Sequence, residues 1–497
     1  MKKSLILLLM VGLSLSAWSI VPPRSMADTA IYNRQLRQMR QTEHMMKAPM
    51  REQAVGTRKI IPRIPVILVN FTDMSYRISR ADIDSMFNAA HFVKDGATGS
   101  VKQYFHDQSY GAYEPQFDIY GPVTVSGTCT QYADNKTSKM VLEACALMND
   151  SLDFTLYDSD ENGKVDLVYC LFAGPPASDA DGIDKTWINN PSSLVYPHYW
   201  TITYSGNHGL NKVFDGKTVD DYEVSSELDG FDSNATTVVM AGVGLACHEF
   251  GHALGLPDIY ASNTNLTHKT SGMWDVMDYG CYNNGVHTPP SYSAYERWFM
   301  GWLEPELLNS ASTDTLLNIN TSRKAYYITE SGNAVSNILS PSPNVFYLLE
   351  NRQQTRWDIG IPGHGMIITK VNFNSSIWSS NSVNNDPNNL RVDIIEADGY
   401  APSAGQAGDT YDNLGKQGDT YPTGSTTFTK VENYQVTDIA ETNGVITFKV
   451  NGGAPDGGDE TGLERTSEDG TPCKILRNGQ IYIVRDNQLF DLLGRKL

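Results

Sequence analysis

Two histidines four residues apart are the part of this sequence best suited to chemistry. His248 and His252 lie on one face of a predicted helix, because residues four positions apart share a face. Both imidazoles can therefore reach one metal ion, and imidazole is a common zinc ligand. Glu249, directly after the first histidine, can accept a proton from an attacking water molecule. The pattern predicts a catalytic zinc site.

A third ligand is expected just beyond this helix. Gly255 can end a helix in the left-handed conformation, and Pro257 prevents its continuation. The chain must turn there, and the turn can bring Asp258 back to the metal ion. Three protein ligands and one open position are typical of catalytic zinc. A thermolysin-type site would need a glutamate about 20 residues past His252, but the next glutamate is Glu296.

The helix itself follows from the hydrophobic pattern. Val243, Cys247, Phe250 and Leu254 recur at helical spacing and predict a helix with this stripe in the core. Cys247 is then a small buried hydrophobe rather than a nucleophile. The six cysteines contain no Cys-x-x-Cys pair, which disfavours a thiolate zinc site, while one or two disulfides remain open.

Strand and helix patterns divide the chain into segments. Apolar strands at 64–71 and 165–172 alternate with helical segments, which indicates an α/β layer. After Trp302, short alternating runs separated by turn residues indicate an all-β, sandwich-like domain. We therefore expect a signal peptide at 1–19, an N-terminal extension or pro-segment at 20–59, a catalytic domain at 60–305, a β-sandwich-like domain at 306–451, a linker at 452–472 and a small β module at 473–497.

The first residues and the net charge indicate the compartment. Lys2 and Lys3 precede an apolar stretch at 5–15 and then small residues, as in a secretory signal peptide, with an uncleaved membrane anchor as the alternative. No later run approaches about 18 apolar residues, so we expect no transmembrane span. The formal net charge of −19 disfavours nucleic acid as a partner, because phosphates would be repelled.

A second motif lies downstream of Asp258. The run WDVMDYG at 274–280, taken with the zinc motif, resembles the Met-turn of the metzincins. More closely, residues 60–450 resemble the immune inhibitor A-like secreted zinc metallopeptidases. The shared motifs are GSVKQYF at 99–105, DQSYG at 107–111, SAYER at 293–297, GWL at 301–303 and the β-rich segment 344–399.

This resemblance implies a fold and several residue roles. The segment 60–305, the first layer of the protein, would be an α/β metzincin-like zinc-peptidase domain. Asp258 would be the third zinc ligand in its aspartate form, and Met277 would lie below the zinc without binding it. Tyr279 would stabilise the oxyanion. Tyr282 is a rival for that role, and ordinary aromatic packing is the alternative for both tyrosines.

The resemblance also implies where a peptide would bind. Tyr222, Glu223 and Val224 lie in a short strand-like segment before the zinc helix. Metzincins bind extended peptides along an edge strand through main-chain hydrogen bonds. We therefore expect a substrate edge strand here, while an interior strand agrees equally well with the sequence.

An Asp- and Asn-rich loop could bind calcium. Its oxygen ligands have the spacing of the first part of a calcium loop, with a glycine at the sharp turn. Tyr169 replaces the last glutamate of an EF-hand, so we expect a structural calcium loop of another kind, with a plain turn as the alternative. The candidate ligands are Asp158, Asp160, Asn162, Lys164 through its backbone carbonyl, and Asp166.

Together these patterns predict a secreted zinc-dependent endopeptidase that hydrolyses peptide bonds of extracellular proteins. Its carboxy-terminal module resembles the sorting domains of type IX-secreted bacterial proteins, notably at Tyr482, 491–494 and the basic 495–496, which implies release or attachment at the cell surface. A small β module that packs on the enzyme is the competing interpretation. The alternative function is a non-catalytic cell-surface protein whose β domain binds glycan or host protein.

Overall fold

The computed structural model describes residues 59–133, 136–262, 268–400, 415–453 and 495, and the backbone of strands at 19–20, 473–477, 480–485 and 488–490. Most of the predicted signal peptide, N-terminal extension and linker lies outside these residues. The chain is a mixed α/β protein with several sheets, which confirms the broad fold class. Among the described helices, none has the length and apolar character needed to cross a membrane.

Helices of the first layer begin where the sequence offers caps. Ser79 accepts a hydrogen bond from Asp82 N, and Ser100 accepts one from Gln103 N. Each serine side chain therefore gives an acceptor to a backbone amide of the first helical turn that would otherwise be unpaired. The described α-helices are α1 (Arg80–Asn88), α2 (Val101–Gln108), α3 (Thr137–Met148), α4 (Ile202–Ser205), α5 (Val243–Ala253), α6 (Ala294–Phe299), α7 (Ile319–Ser322) and α8 (Ser375–Ser379).

The described strands fall into five sheets. They are β1 (Ser19–Ile20), β2 (Arg63–Asn70), β3 (Gln116–Thr124), β4 (Val168–Phe172), β5 (His198–Thr201), β6 (Val213–Phe214), β7 (Lys217–Thr218), β8 (Asp221–Ser226), β9 (Glu306–Leu307), β10 (Ser312–Leu316), β11 (Tyr326–Ile328), β12 (Val345–Arg352), β13 (Gly365–Asn372), β14 (Val392–Ile394), β15 (Val436–Thr442), β16 (Val445–Val450), β17 (Cys473–Arg477), β18 (Gln480–Arg485) and β19 (Gln488–Phe490).

A six-stranded sheet supports helix α5, which carries the predicted zinc ligands His248 and His252. Its order is β1-β5-β8-β4-β2-β3, with β3, β2, β4 and β8 parallel and β5 antiparallel to β8. The parallel strands β2 and β4 are buried on both faces, which explains their nearly continuous apolar sequences. Helix α5 packs on the face that carries Tyr169 and Leu171, and helix α3 packs on the face that carries Cys170 and Phe172.

Strand β8 lies in the interior of this sheet. It pairs with β4 on one side and with β5 on the other. The prediction that Tyr222, Glu223 and Val224 form an edge strand is therefore wrong. The physical reason is the short segment His198–Thr201. It forms an antiparallel strand outside β8 and pairs with the backbone hydrogen-bonding groups on that side of β8. Strand β5 lies between β8 and this end of the sheet, and β1 pairs with the outer side of β5.

Two further sheets follow residue 305. One has the order β14-β13-β12-β11-β9, and the other has the order β10-β16-β15. Apolar side chains of both sheets share one hydrophobic cluster, which includes Leu316, Ile328, Leu349 and Phe448. The alternating runs of the sequence therefore contribute apolar side chains of both sheets to one shared core.

Packing is continuous between the first layer and these sheets. The described residues up to Gly452 form one compact unit, and the hydrophobic cluster around helix α5 includes Phe346 and Trp378 from beyond residue 305. Trp378 Nε1 donates a hydrogen bond of 2.8 Å to Tyr295 Oη of α6. The second unit, 453–497, contains a three-stranded antiparallel sheet of the order β17-β18-β19.

Five cysteines have described side chains, and each is a buried free thiol. They do not cross-link the first unit, so its stability must come from apolar burial and buried polar contacts. The side chain of Cys473 lies outside the described residues. The five buried free thiols belong to Cys129, Cys145, Cys170, Cys247 and Cys281.

A buried arginine joins strand β12 to the segment before α6 through hydrogen bonds. Arg352 donates two hydrogen bonds to Asp358, at 2.8 and 2.6 Å, and one of 3.1 Å to Glu350. It also donates to the carbonyl oxygen of Ser291 at 3.1 Å. Burial alone would raise the pKa of Asp358, but the charge of Arg352 holds that pKa below its ordinary value.

The substitution Arg352→Met should destabilise the protein strongly. It leaves Asp358 and Glu350 buried without their cation, and breaking a buried pair in this way costs about 3–5 kcal/mol. Urea denaturation followed by circular dichroism measures the loss. Arg356→Met is the matched control, because Arg356 pairs with Asp107 on the surface and its side chain is 63% exposed. That control should lose less than about 1 kcal/mol, and equal losses in the two variants would contradict the prediction.

Candidate metal centre and catalytic site

Helix α5 brings the predicted ligands to one point. His248, His252 and Asp258 form a buried group that could hold a metal ion, the one such group found among the described residues. His248 Nε2 lies 3.2 Å from His252 Nε2. Asp258 Oδ1 lies 3.2 Å from His248 Nε2 and 3.1 Å from His252 Nε2. The three atoms therefore form a nearly equilateral triangle.

Hydrogen bonds on the far side of each ring assign the protonation of the histidines. His248 Nδ1 lies 2.7 Å from the carbonyl oxygen of Val276, and His252 Nδ1 lies 2.7 Å from that of Leu256. A carbonyl oxygen only accepts, so each Nδ1 carries the proton and each Nε2 has a free lone pair. The short contact between the two Nε2 atoms is therefore not a hydrogen bond. Burial also lowers the pKa of His248, which favours the neutral, metal-binding form.

Asp258 carries a buried oxygen that needs a cation. Among the described residues, Oδ1 has no hydrogen-bond partner, and the side chain is fully buried. A buried, unpaired carboxylate oxygen is unfavourable unless a positive charge lies beside it. Ligands about 2.0–2.1 Å from a tetrahedral zinc ion would lie about 3.3–3.4 Å apart. The observed triangle of 3.1–3.2 Å fits that ion closely.

The turn after α5 is the local reason that Asp258 returns to the histidines. Gly255 has a φ of +108°, a backbone conformation that residues with a side chain rarely adopt. Leu256 N then donates to the carbonyl oxygen of Gly251 at 3.0 Å, which closes the helix end. The same turn presents the Leu256 carbonyl to His252, so one local structure both ends the helix and orients a ligand.

The predicted Met-turn, 274–280, lies against helix α5. Met277 is fully buried, and its carbonyl oxygen accepts a hydrogen bond of 2.9 Å from Ile259 N. Val276, one residue earlier, supplies the carbonyl that orients His248. Asp275 Oδ1 accepts a hydrogen bond of 2.8 Å from Met277 N and so fixes the turn. The turn therefore acts on the ligands through its backbone.

Glu249 and several tyrosines surround the ligands. Glu249 is fully buried on α5 beside His248. The ring of Tyr260 lies 6.4 Å from that of His248, and the ring of Tyr279 lies 6.1 Å from that of Tyr260. Burial raises the pKa of Tyr260 well above its ordinary value, and the charges of Asp258 and Glu249 add to this effect.

The two tyrosines considered for the oxyanion have different surroundings. Tyr279 is half-buried at the edge of the hydrophobic cluster, whereas Tyr282 is buried within it. Because a substrate must reach the hydroxyl group, the position of Tyr279 suits the predicted role better than that of Tyr282.

The predicted calcium loop lies away from these ligands, beside β7. Its side chains accept hydrogen bonds from the loop's own backbone: Asp158 Oδ1 accepts from Asn162 N at 2.9 Å, and Asp166 Oδ2 accepts from Ser159 N at 3.0 Å. Lys217 Nζ lies 2.6 Å from Asp158 Oδ2 and is the cation of this loop in the structure. Asp160 and Lys164 are part of the same turn through hydrogen bonds to Asn162.

A buried His-His-Asp group with a glutamate beside the first histidine has the composition of a metallopeptidase catalytic site. Comparison with known proteins agrees with this class. Residues 196–303 match the family model described as Immune inhibitor A peptidase M6, catalytic domain. All three ligands, Glu249 and Met277 lie inside the matched segment.

One curated relative is similar over a longer stretch. The chain is 24% identical over 301 residues to Immune inhibitor A of Bacillus thuringiensis subsp. alesti, covering 51% of this chain and 41% of the relative. The chain therefore spans less than half of the length of that relative. These two similarities support a metallopeptidase function.

Three residues near the site were not predicted from the sequence. Tyr196 and Tyr260 lie near Glu249: burial raises the pKa of both hydroxyl groups, and the charge of Glu249 adds to this effect. Asn381 contacts Asp258 from 123 residues further along the chain. Tyr260 could have been noticed as an aromatic residue two positions after the third ligand. No local signal marks Tyr196 or Asn381, because only the tertiary structure brings them to the site.

Glycines let the zinc helix approach the loop after the Met-turn, and Gly244→Ala should destabilise the protein. A Cβ atom at Gly244 would lie 2.0 Å from the carbonyl oxygen of Cys281. Backbone must move to make room, which costs about 1–3 kcal/mol or more and outweighs the gain of about 1 kcal/mol in helix propensity. Thermal denaturation measures the loss.

Gly251→Ala is the comparison variant for that prediction. Its added Cβ would lie 2.7 Å from Met277 Sδ and 2.8 Å from Tyr292 Oη, which are side-chain atoms that can shift. It should therefore lose less stability than Gly244→Ala. A larger loss in Gly251→Ala would contradict the role given to backbone contact.

Proposed function

We propose that the protein is a zinc-dependent endopeptidase that cleaves extracellular polypeptides. The observation that carries this proposal is the triangle of His248 Nε2, His252 Nε2 and Asp258 Oδ1, with sides of 3.1–3.2 Å and no polar hydrogen inside it. Two neutral imidazoles and one carboxylate match the charge and donor set of catalytic zinc. The matched peptidase segment, which contains all of these residues, supports the same conclusion.

The chemistry divides between the ion and the chain. When bound, zinc would lower the pKa of a water molecule and polarise the scissile carbonyl group. Glu249 accepts the proton of the attacking water and returns it to the leaving amine. Tyr279 donates a hydrogen bond to the oxyanion. Met277 supports the ligands from below, and the Val276 and Leu256 carbonyls keep both imidazoles in the metal-binding tautomer.

A peptide substrate would bind at β5 rather than at β8. Strand β5 lies outside β8 in the sheet that carries the zinc helix, and Ser19 and Ile20 pair antiparallel with its outer side at Tyr199 and His198. This pairing supports an outer side of β5 that accepts an antiparallel strand through main-chain hydrogen bonds, and a substrate would bind there in place of Ser19–Ile20. Tyr199 packs against the same hydrophobic cluster as the zinc helix, so a strand added there would run beside the ligands.

The remaining parts of the proposal concern the setting of the enzyme. We propose that residues 1–19 direct export and that residues 20–59 are a pro-segment. The two sheets after residue 305 form a sandwich-like accessory domain, and the tail at 473–497 sorts the protein to the cell surface. The alternative function, a non-catalytic binding protein, is not favoured, since the ligands and Glu249 are all present in the matched peptidase segment.

Glu249→Gln should abolish peptide hydrolysis while zinc remains bound. The amide cannot accept the proton, and loss of a general base typically lowers the rate by about 10²–10⁴-fold. Casein digestion and zinc content by atomic absorption are the two measurements. Glu432→Gln, at an exposed position of the β layer, is the control and should keep full activity. Full casein digestion by the Glu249→Gln variant would refute the assignment.

Calcium should stabilise the loop that contains Asp158, Asp160 and Asp166. The ion would replace Lys217 as the cation beside Asp158, and ligand binding at about 100 times its dissociation constant adds about 2.7 kcal/mol of stability. Melting temperature with and without a calcium-selective chelator measures the effect. Asp160→Asn should weaken the response, whereas Glu161→Gln, whose side chain is not a predicted ligand, should keep it. An unchanged melting temperature in the parent protein would leave the plain turn as the correct interpretation.

A further inference from the structure

The third ligand is held from outside the zinc helix by a single asparagine. Asn381 Nδ2 donates a hydrogen bond of 2.5 Å to Asp258 Oδ2, and Asn381 Oδ1 accepts one of 2.8 Å from Asp258 N. The asparagine side chain therefore contacts both the carboxylate and the backbone of the same ligand. Both residues are fully buried, so water does not compete for these bonds.

This two-point contact fixes which carboxylate oxygen faces the histidines. Oδ2 is engaged by Asn381, while Oδ1 lies 3.1–3.2 Å from the two Nε2 atoms. Rotation of the carboxylate about its Cβ–Cγ bond would break the bond to Asn381 and move Oδ1 out of the triangle. The amide is neutral, so it orients the carboxylate without bringing a positive charge that would compete with a metal ion.

Neighbouring contacts hold Asn381 itself in place. Its backbone N donates to the carbonyl oxygen of Trp378 at 3.0 Å, and its carbonyl oxygen accepts from Ser262 Oγ at 2.9 Å. Its φ of +48° is in the left-handed region, which asparagine tolerates better than most residues. The loop after α8 is thus fitted to the segment that follows Asp258.

Asn384 joins the same loop to the ligand segment. Its Nδ2 donates to the carbonyl oxygens of Ile259 and Val392, both at 2.7 Å, and its Oδ1 accepts from Arg391 N at 2.8 Å. The side chain is therefore engaged in protein hydrogen bonds on both its nitrogen and its oxygen.

We propose that Asn381 is a positioning residue for the third metal ligand, so that the loop after α8 sets the zinc affinity of the catalytic site. The inference rests on the proposed function, because it takes zinc as the ion held by His248, His252 and Asp258. Hydrogen-bond partners of metal ligands typically contribute 10–100-fold to metal affinity. Asn381 lies beyond residue 305, so the part of the chain that forms the two β sheets (the β layer, 306–451) contacts a metal ligand directly.

The test measures zinc affinity by competition with a chromogenic chelator, using the full chain. Asn381→Gly is the main variant, because glycine adopts the left-handed conformation without strain. We expect zinc binding about 10–100-fold weaker than in the parent, with the melting temperature of the zinc-free protein lowered much less than in the core variants. Activity at saturating zinc should recover to a large extent, because Glu249 is untouched.

Asn385→Ala is the matched control. Asn385 is in the same loop and donates to Ser262 Oγ at 3.1 Å, but it is not among the partners of Asp258. This control should bind zinc as tightly as the parent. If Asn381→Gly folds and binds zinc with the parent's affinity, or if both variants weaken zinc equally, Asn381 is not a positioning residue.

A further variant separates this inference from the proposed function. In His252→Ala, one ligand is lost and zinc affinity should fall far below that of Asn381→Gly. If the parent and His252→Ala bind zinc equally, the metal is not held at this site and the proposed function itself fails. If His252→Ala loses zinc and Asn381→Gly does not, only the role of Asn381 fails.

Discussion

The central constraint on this protein is a carboxylate oxygen buried beside two neutral imidazoles. Asp258 Oδ1 and the two Nε2 atoms present three lone pairs to one point, where none of them carries a proton. Such an arrangement is unfavourable in a dry interior unless a cation occupies the point. The surrounding structure therefore has to keep three electron-rich atoms together against their mutual repulsion.

Backbone carbonyls and close helix packing provide that restraint. The carbonyls of Val276 and Leu256 hold the two rings, and each carbonyl belongs to a segment with its own fixed turn. Gly244 lets helix α5 contact the backbone at Cys281, where a Cβ atom would collide with a carbonyl oxygen. The ligands are thus oriented by parts of the chain that are rigid for reasons of packing and main-chain hydrogen bonding.

The β layer contributes to the site as well as to the stability of the chain. Asn381 reaches the third ligand, while Arg352 and Asp358 fasten β12 to the segment before α6 through buried, charge-assisted hydrogen bonds. The hydrophobic cluster also contains residues from both sides of residue 305. These contacts couple the position of the α/β layer before residue 305 to that of the β sheets after it. A movement of one part relative to the other would therefore displace Asp258.

Short-range patterns in the sequence were enough to predict the elements and the chemistry that depend on local spacing. The His-Glu-x-x-His repeat places both imidazoles on one helix face, and Gly255 followed by Pro257 forces the turn to Asp258, because helical periodicity and φ preference are local properties. The interior position of β8 and the contact of Asn381 with Asp258 became evident only from the three-dimensional packing. Strand order and contacts across 123 residues depend on how separate elements pack, and a short run such as His198–Thr201 carries no local mark of its partner.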